Sequence, residues 1–215
     1  MKSLFKSPVI ILANGLFPSS STPLEILENA GTVICTDGAI NKLESLGLMP
    51  HIIIGDLDSM DSNIEFKGLI VHDTNQYNTD LEKSLDWATA NNIKKLTILG
   101  ATGQREDMTL ANHYILFDYY DKIELKMVTD YQTVTCHKGK KLFDSAIGTN
   151  VSLFAKNFNT IVSTRKLKYP INDSILNPSS QAISNQSLAE EFEVNSSGPI
   201  PVSYTHLTLP TTPYV

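Results

Sequence analysis

Cysteine is scarce in this chain: only Cys35 and Cys136 occur, each among β-formers and neither in a CxxC or other metal-ligand spacing. That excludes a disulfide scaffold and a zinc module, and the two residues read as buried thiols of a reducing compartment. No run approaches the ~18 apolar residues of a membrane span. The apolar stretch Val9 to Ala13 follows Lys2 and Lys6 but is cut short by Asn14, Gly15 and Pro18, so it reads as a core strand rather than a signal peptide. Basic charge is also lacking. A net charge of −6 leaves no basic surface for nucleic acid or anionic membrane, and a polyphosphate partner would need metal ions to bind. The expectation is a soluble cytoplasmic protein with a small-molecule partner. Walker A, kinase glycine-loop and GxSxG elements are missing, and the five histidines are scattered without metal pairing.

What is present is an alternation. Short β-branched runs (Val9 to Ala13, Val33 to Thr36, Ile52 to Ile54, Leu69 to Val71, Leu96 to Leu99, Glu124 to Val128) are mostly continuously apolar, as parallel strands covered on both faces are. Helical segments lie between several of them, near Leu24 to Asn29, Ile40 to Leu46, Thr79 to Ala90 and Thr109 to Tyr120. Thr79 and Glu82 form a capping-box pattern that marks the start of the third. This is the signature of an α/β fold. After about Tyr131 the runs are shorter and broken by Gly, Pro, Asn and Ser: Gln132 to Cys136, Asn150 to Phe154, Thr160 to Thr164 and Glu191 to Asn195. The expected organisation is an α/β domain over 1–130, an all-β domain over 131–202 and an atypical Thr/Pro-rich tail over 203–215. Asn177 to Ser187 is the most loop-like stretch.

In an open parallel sheet, ligands bind where loops leave the carboxyl ends of the strands. Strand after strand here runs into acid or glycine: Asn14-Gly15, Asp37-Gly38, Gly55-Asp56-Leu57-Asp58-Ser59, His72-Asp73 and Gly100-Ala101-Thr102-Gly103. Two carboxylates facing one cavity at ~5 Å repel by about 3 kcal/mol at an effective dielectric of ~20, a penalty that Mg²⁺ with its preference for hard oxygen would remove. A bare DxD also reads as an Asx-rich turn. Asp80 in the first turn of a capped helix, and Asp107 as the N-cap of the next, each have a structural explanation as well. Arg105 beside Gly103 offers a guanidinium fork to phosphate oxygens, and Lys83 a point charge.

In order and spacing, Asp37-Gly38-Ala39 with Asn41, Gly55-Asp56-Leu57-Asp58-Ser59, Thr79-Asp80-Leu81-Glu82-Lys83, and Gly100 through Arg105, Asp107 and Leu110-Ala111-Asn112 resemble the thiamin pyrophosphokinase family. The likeness spans about the first 115 residues. It continues weakly through Thr164 to Ile171 and Ile183-Ser184-Asn185. The resemblance implies a Rossmann-like catalytic domain, a C-terminal β-sandwich that contributes to thiamin binding, and a homodimer with active sites between subunits. It implies Asp56, Asp58, Asp80 and Asp107 as catalytic acids, with Asp56, Asp58 and Asp80 holding Mg²⁺. Asn14, Gly15, Asp37, Gly38, Lys83, Thr102, Gly103 and Arg105 become the ATP- and phosphate-binding set, with Asp37 a further active-site acid. Tyr169, Ser184 and Asn185 become thiamin-side residues. The implied reaction is attack of the thiamin hydroxyl on the β-phosphorus of ATP with AMP leaving, one unassigned aspartate accepting the proton.

The chain departs from the family pattern at Met108, Gln104 and Arg165-Lys166, in the expected phosphate and thiamin regions, and keeps the acids. Two other readings stay open at this level. Asp56-Leu57-Asp58-Ser59 after an apolar strand imitates the nucleophile motif of haloacid-dehalogenase-like phosphatases, though here it follows two earlier strands. The departures suit a thiamin- or nucleotide-binding sensor without catalysis.

Overall fold

The computed structural model describes residues 5–206. It divides into two compact units that meet in sequence at Asp130 and Tyr131, within a mixed α/β fold.

The first unit is built on wholly parallel strands. Strands β1 (Val9–Leu12), β2 (Thr32–Thr36) and β3 (Ile52–Gly55) are buried at every residue, as their unbroken apolar composition requires of strands covered on both faces. Strands β4 (Leu69–His72), β5 (Lys95–Leu99) and β6 (Glu124–Val128) complete the order β6-β5-β1-β2-β3-β4, each pair parallel. β4 corrects the expectation of two-sided burial. It is the edge strand, and Leu69 and Ile70 are exposed.

Four helices lie between strands: α1 (Ser21–Glu28), α2 (Ala39–Glu44), α3 (Asp80–Ala90) and α4 (Glu106–Tyr119). Thr79 caps α3, its side chain accepting from Glu82 N at 3.3 Å, while Leu81, Leu85 and Ala88 form the buried stripe. α4 begins at Glu106 with Arg105 as N-cap. Asp107 is therefore a first-turn residue and not the cap.

β1 lies between β2 and β5. The chain goes from β1 to β2 on one side and returns by α3 to β5 on the other, so the loops that follow β1 and β5 diverge and leave a crevice at the strand ends. The loops are zipped at their base, Gly15 N donating to Gly100 O at 2.7 Å and Leu16 N to Thr102 O at 2.8 Å. A Cβ at Gly15 would stand 2.4 Å from Gly100 O, so this approach requires glycine.

The second unit is all-β. β7 (Gln132–Asp144) pairs antiparallel with β12 (Glu191–Thr205), with a register irregularity between Ser196 and Ile200. Before that point β12 also pairs with β9 (Thr160–Arg165), which carries β10 (Ser174–Leu176); beyond it β12 pairs with β8 (Asn150–Leu153), which carries β11 (Asn185–Gln186). Both sets bury residues in one core around Phe143 and Phe192, whose rings stack at 5.0 Å. Continuation of β12 through Ser203, Tyr204 and Thr205 corrects the tail boundary, and Tyr204 packs against both rings. The rest of the expected tail, 207–215, lies outside the described residues. Both cysteines are free and buried, with the Cys136 thiol pushed up to about 12 by burial. Among the described residues no helix is long and apolar enough to cross a membrane.

Candidate active site

The crevice holds a cavity of about 330 Å³. Asn14 and Gly15 from the loop after β1, Asp37 after β2, Ser59 after β3, Asp80 in the first turn of α3, and Gly103 and Arg105 after β5 all line it. Gly38 instead lines an adjoining hollow of about 580 Å³ with Leu16, Phe17 and Lys42, and Asn14, Gly15 and Gln104 form walls of both.

Two carboxylates, Asp37 and Asp80, line this cavity, while Asp56 and Asp58 lie beside Asp37 without lining it. Asp37 is buried at 2% exposure, and one oxygen from each of Asp37, Asp56 and Asp58 lies within 4.8 Å of the others. Burial is the main cause that raises the Asp37 pKa above the ordinary range, helped by the charges of Asp80 and Asp56. Amides of Gly38 and Ser59 reach its two oxygens at 2.6 Å and 3.4 Å and oppose the shift. Asp56 is held below its usual value first by Gln76, whose Nε2 donates to Oδ2 at 2.9 Å. Asp58 Oδ1 accepts from Ser59 Oγ at 2.9 Å.

Asp80 and Lys83, one helical turn apart, form an ion pair at 2.8 Å in which the lysine side chain is only 4% exposed. Burial lowers the Lys83 pKa, but the hydrogen bond and charge of Asp80, with Asp56 and Asp73 behind, outweigh it and leave the pKa raised. Lys83 is thus neither a solvated helix-face lysine nor among the residues lining the cavity; it sits under the acids as their counter-charge. Arg105 and Asp107 face each other in a fork, Nη2 to Oδ2 at 2.6 Å and Nε to Oδ1 at 3.1 Å, both exposed. That fork lowers the Asp107 pKa and raises that of Arg105. Asp107 and Thr102 do not line the cavity.

The expected acids therefore regroup. Asp37 joins Asp56 and Asp58 where Asp80 was expected, and Asp80 is engaged with Lys83. Residues given no site role from the sequence also line the wall, Thr36, Ser59 and Asn112, with Gln76 bound to Asp56. Gln76 lies between the end of β4 and the capped start of α3, a position in the sequence that could have drawn attention to it. Asn112 Nδ2 donates to Ala101 O at 2.7 Å, while its Oδ1 and Thr36 Oγ1 are buried without a hydrogen-bond partner among the described residues.

In the second unit, Asn185 is buried and its amide grips the backbone of Tyr169, accepting from Tyr169 N at 3.0 Å and donating to Tyr169 O at 2.7 Å. Tyr169 itself stays 62% exposed. Ser184 precedes Asn185 with a left-handed backbone (φ 60°), and its N donates to Ser152 Oγ at 3.1 Å.

Known proteins give this arrangement its context. A structure of thiamine pyrophosphokinase from Bacillus subtilis superposes with a TM-score of 0.79 at 22% identity, covering 94% of this chain and 99% of that one. The Candida albicans thiamin pyrophosphokinase gives a TM-score of 0.79 at 16% identity, covering 91% and 88%, and the yeast protein 0.78 at 20%, covering 92% and 85%. At these identities the likeness establishes the fold. In sequence, the chain is 29% identical over 187 residues to "Thiamin pyrophosphokinase 1" of Caenorhabditis elegans, an alignment covering 78% of this chain and 76% of that protein. Residues 24–128, which carry Asp37, Asp56, Asp58, Asp80, Arg105 and Asp107, match the family described as thiamin pyrophosphokinase, catalytic domain.

Proposed function

We propose that this protein is a thiamine diphosphokinase that transfers the pyrophosphoryl group of ATP to thiamin, giving thiamin diphosphate and AMP. The observation that carries the reading is the meeting of Asp37, Asp56 and Asp58 at the edge of a crevice whose opposite wall carries Gly103 and Arg105. Crowded carboxylates repel a polyphosphate unless a cation intervenes, and three hard oxygen ligands beside one another fit Mg²⁺. Asp37, Asp56 and Asp58 would hold it, with Asp80 adding charge nearby. When bound, Mg²⁺ supplies charge neutralisation to the polyphosphate.

The chain's own groups do the rest. The amides of the loops after β1 and β5 and the Arg105 guanidinium orient the phosphates, with Asp107 keeping the guanidinium aligned. The thiamin hydroxyl oxygen bonds to the β-phosphorus, the bond from that phosphorus to the α–β bridging oxygen breaks, and AMP departs with the electron pair. The hydroxyl proton passes to an active-site aspartate. Asp80, which lines the cavity and is not one of the three carboxylates that would hold the cation, is placed to accept it.

We read the all-β unit as a sandwich in which Tyr169, Ser184 and Asn185 give selectivity for thiamin, whose cationic ring gains from an aromatic face. A homodimer in the cytoplasm belongs to the same proposal. Incubation with ATP, Mg²⁺ and thiamin tests it: AMP release supports the transferase. Free phosphate would support a phosphatase acting through Asp56, and no product a binding protein.

A further inference from the structure

Residues 56 to 68, which carry Asp56 and Asp58, contain neither helix nor strand. Around the acids the segment's backbone ties are long, Asp58 N to Asp56 Oδ1 at 3.5 Å and Ser59 N to Asp37 Oδ2 at 3.4 Å, while Gln76 holds the Asp56 side chain at 2.9 Å. Leu57 holds a left-handed backbone at φ 68°, which a leucine adopts only when its surroundings impose it.

A side chain on a neighbouring helix holds the backbone just after Leu57. Asn41 of α2 donates from Nδ2 to Ser59 O at 2.9 Å and accepts at Oδ1 from Asp61 N at 2.9 Å. One planar amide thus grips the segment just past Asp58 on both sides of Met60. Its helix is fixed in turn, because Ala39, Ile40 and Leu43 are buried in the core and Asp37, itself one of the three clustered acids, lies two residues before Ala39. Asn41 is exposed and none of its hydrogen bonds goes to a carboxylate. Its reach is through the loop backbone.

We propose that Asn41 is a positioning residue for the cation site, locking the 59–61 backbone to the helix that follows Asp37 so that Asp58 is held against Asp37 before the cation arrives. The inference rests on the reading of Asp37, Asp56 and Asp58 as that site. The chemistry demands an amide: alanine makes neither bond, aspartate lacks the donor for Ser59 O, and glutamine keeps both groups on a longer arm. Without the clamp, cation binding must order the loop, and affinity falls.

The test is calorimetric titration of the full chain with Mn²⁺ alone, for wild type, Asn41→Ala, Asn41→Gln and Asp58→Asn, with a thermal melt of each. Two exposed hydrogen bonds correspond to a loss of about tenfold in Mn²⁺ affinity for Asn41→Ala. Asn41→Gln recovers part of it, Asp58→Asn loses more, and the melting midpoint of Asn41→Ala stays within about 2 °C of wild type. Turnover of Asn41→Ala returns to the wild-type level at saturating metal. Wild-type Mn²⁺ affinity in Asn41→Ala, with affinity lost in Asp58→Asn, overturns the role of Asn41 and leaves the cation site standing. Equal affinity in wild type and Asp58→Asn removes the cation site, and the clamp with it. Weak binding that accompanies a collapsed melting transition assigns Asn41 to the fold and also overturns the proposal.

Discussion

Gly55 and Asp37 stand so close across the ends of β3 and β2 that a Cβ added to the glycine would lie 2.9 Å from the Asp37 carboxyl carbon. A glycine at the last position of β3 is what lets the acid after β2 lie beside those after β3.

Replacing Gly55 by alanine therefore pushes the Asp37 carboxylate out of the cluster. Overpacking of this kind costs about 1–3 kcal/mol, and the displaced group is one of the three proposed ligands. Gly55→Ala should remain folded by circular dichroism yet lose turnover by about 100-fold, with part of the loss recovered at high Mg²⁺. Unaltered metal dependence would show that Asp37 is not a ligand.

Arg105 forms a fork to Asp107, and both side chains are mostly exposed. An exposed pair contributes little to stability, whereas a fork aimed at phosphate cannot be copied by a single ammonium. Arg105→Lys should raise the apparent KM for ATP about tenfold and shift the melting midpoint by no more than about 2 °C. The reverse pattern, lower stability with unchanged ATP kinetics, would make the residue a structural one.

Much of this was legible in the sequence because it rests on local rules. The parallel strands announce themselves as unbroken apolar runs, and Thr79 marks the start of α3 through its side chain. The register of the acids was not legible. Asp37 reaches Asp56 and Asp58 because β2 and β3 are adjacent parallel strands, and Asp80 turns to Lys83 because the two share a helical face; neither pairing is visible in spacing alone. Nor did composition reveal that β12 runs through the glycine and proline of Gly198-Pro199 to Thr205, since the irregularity in its pairing accommodates them. Burial of Lys83 likewise follows from helix packing, not from its charge.

Asn185 and Tyr169 act as one unit in the all-β domain. Because the Asn185 amide spends two hydrogen bonds on the Tyr169 backbone, removing it should weaken thiamin binding by freeing the tyrosine. Asn185→Ala and Tyr169→Ala should each reduce thiamin affinity, and the double variant should lose little more than Tyr169→Ala alone. ATP affinity should stay the same throughout. Additive losses in calorimetric titration with thiamin would mean that the asparagine has a separate role.

Asp130, at the end of the first unit, accepts from Ser19 N at 2.8 Å, from Ser20 N at 3.0 Å and from Ser19 Oγ, and so anchors the start of α1. Burial raises its pKa, but these serine donors together outweigh it and leave the pKa lowered in the folded protein. A carboxylate with a depressed folded pKa stabilises above its unfolded value, near 3.9, and loses that contribution as pH falls through the folded value. Asp130→Asn should cost about 1–2 kcal/mol near neutral pH, with the difference from wild type shrinking below about pH 4. A difference that is constant from pH 7 to pH 3 in urea titrations would show that charge plays no part.

The central claim is that this crevice moves a pyrophosphoryl group rather than a single phosphate. Phosphorus NMR of one reaction with equal ATP and thiamin in Mg²⁺ tests it most directly. The account predicts AMP and thiamin diphosphate appearing in equal amounts, with no ADP and no orthophosphate at any time. Accumulation of ADP with thiamin monophosphate, or of orthophosphate whether or not thiamin is present, would contradict it.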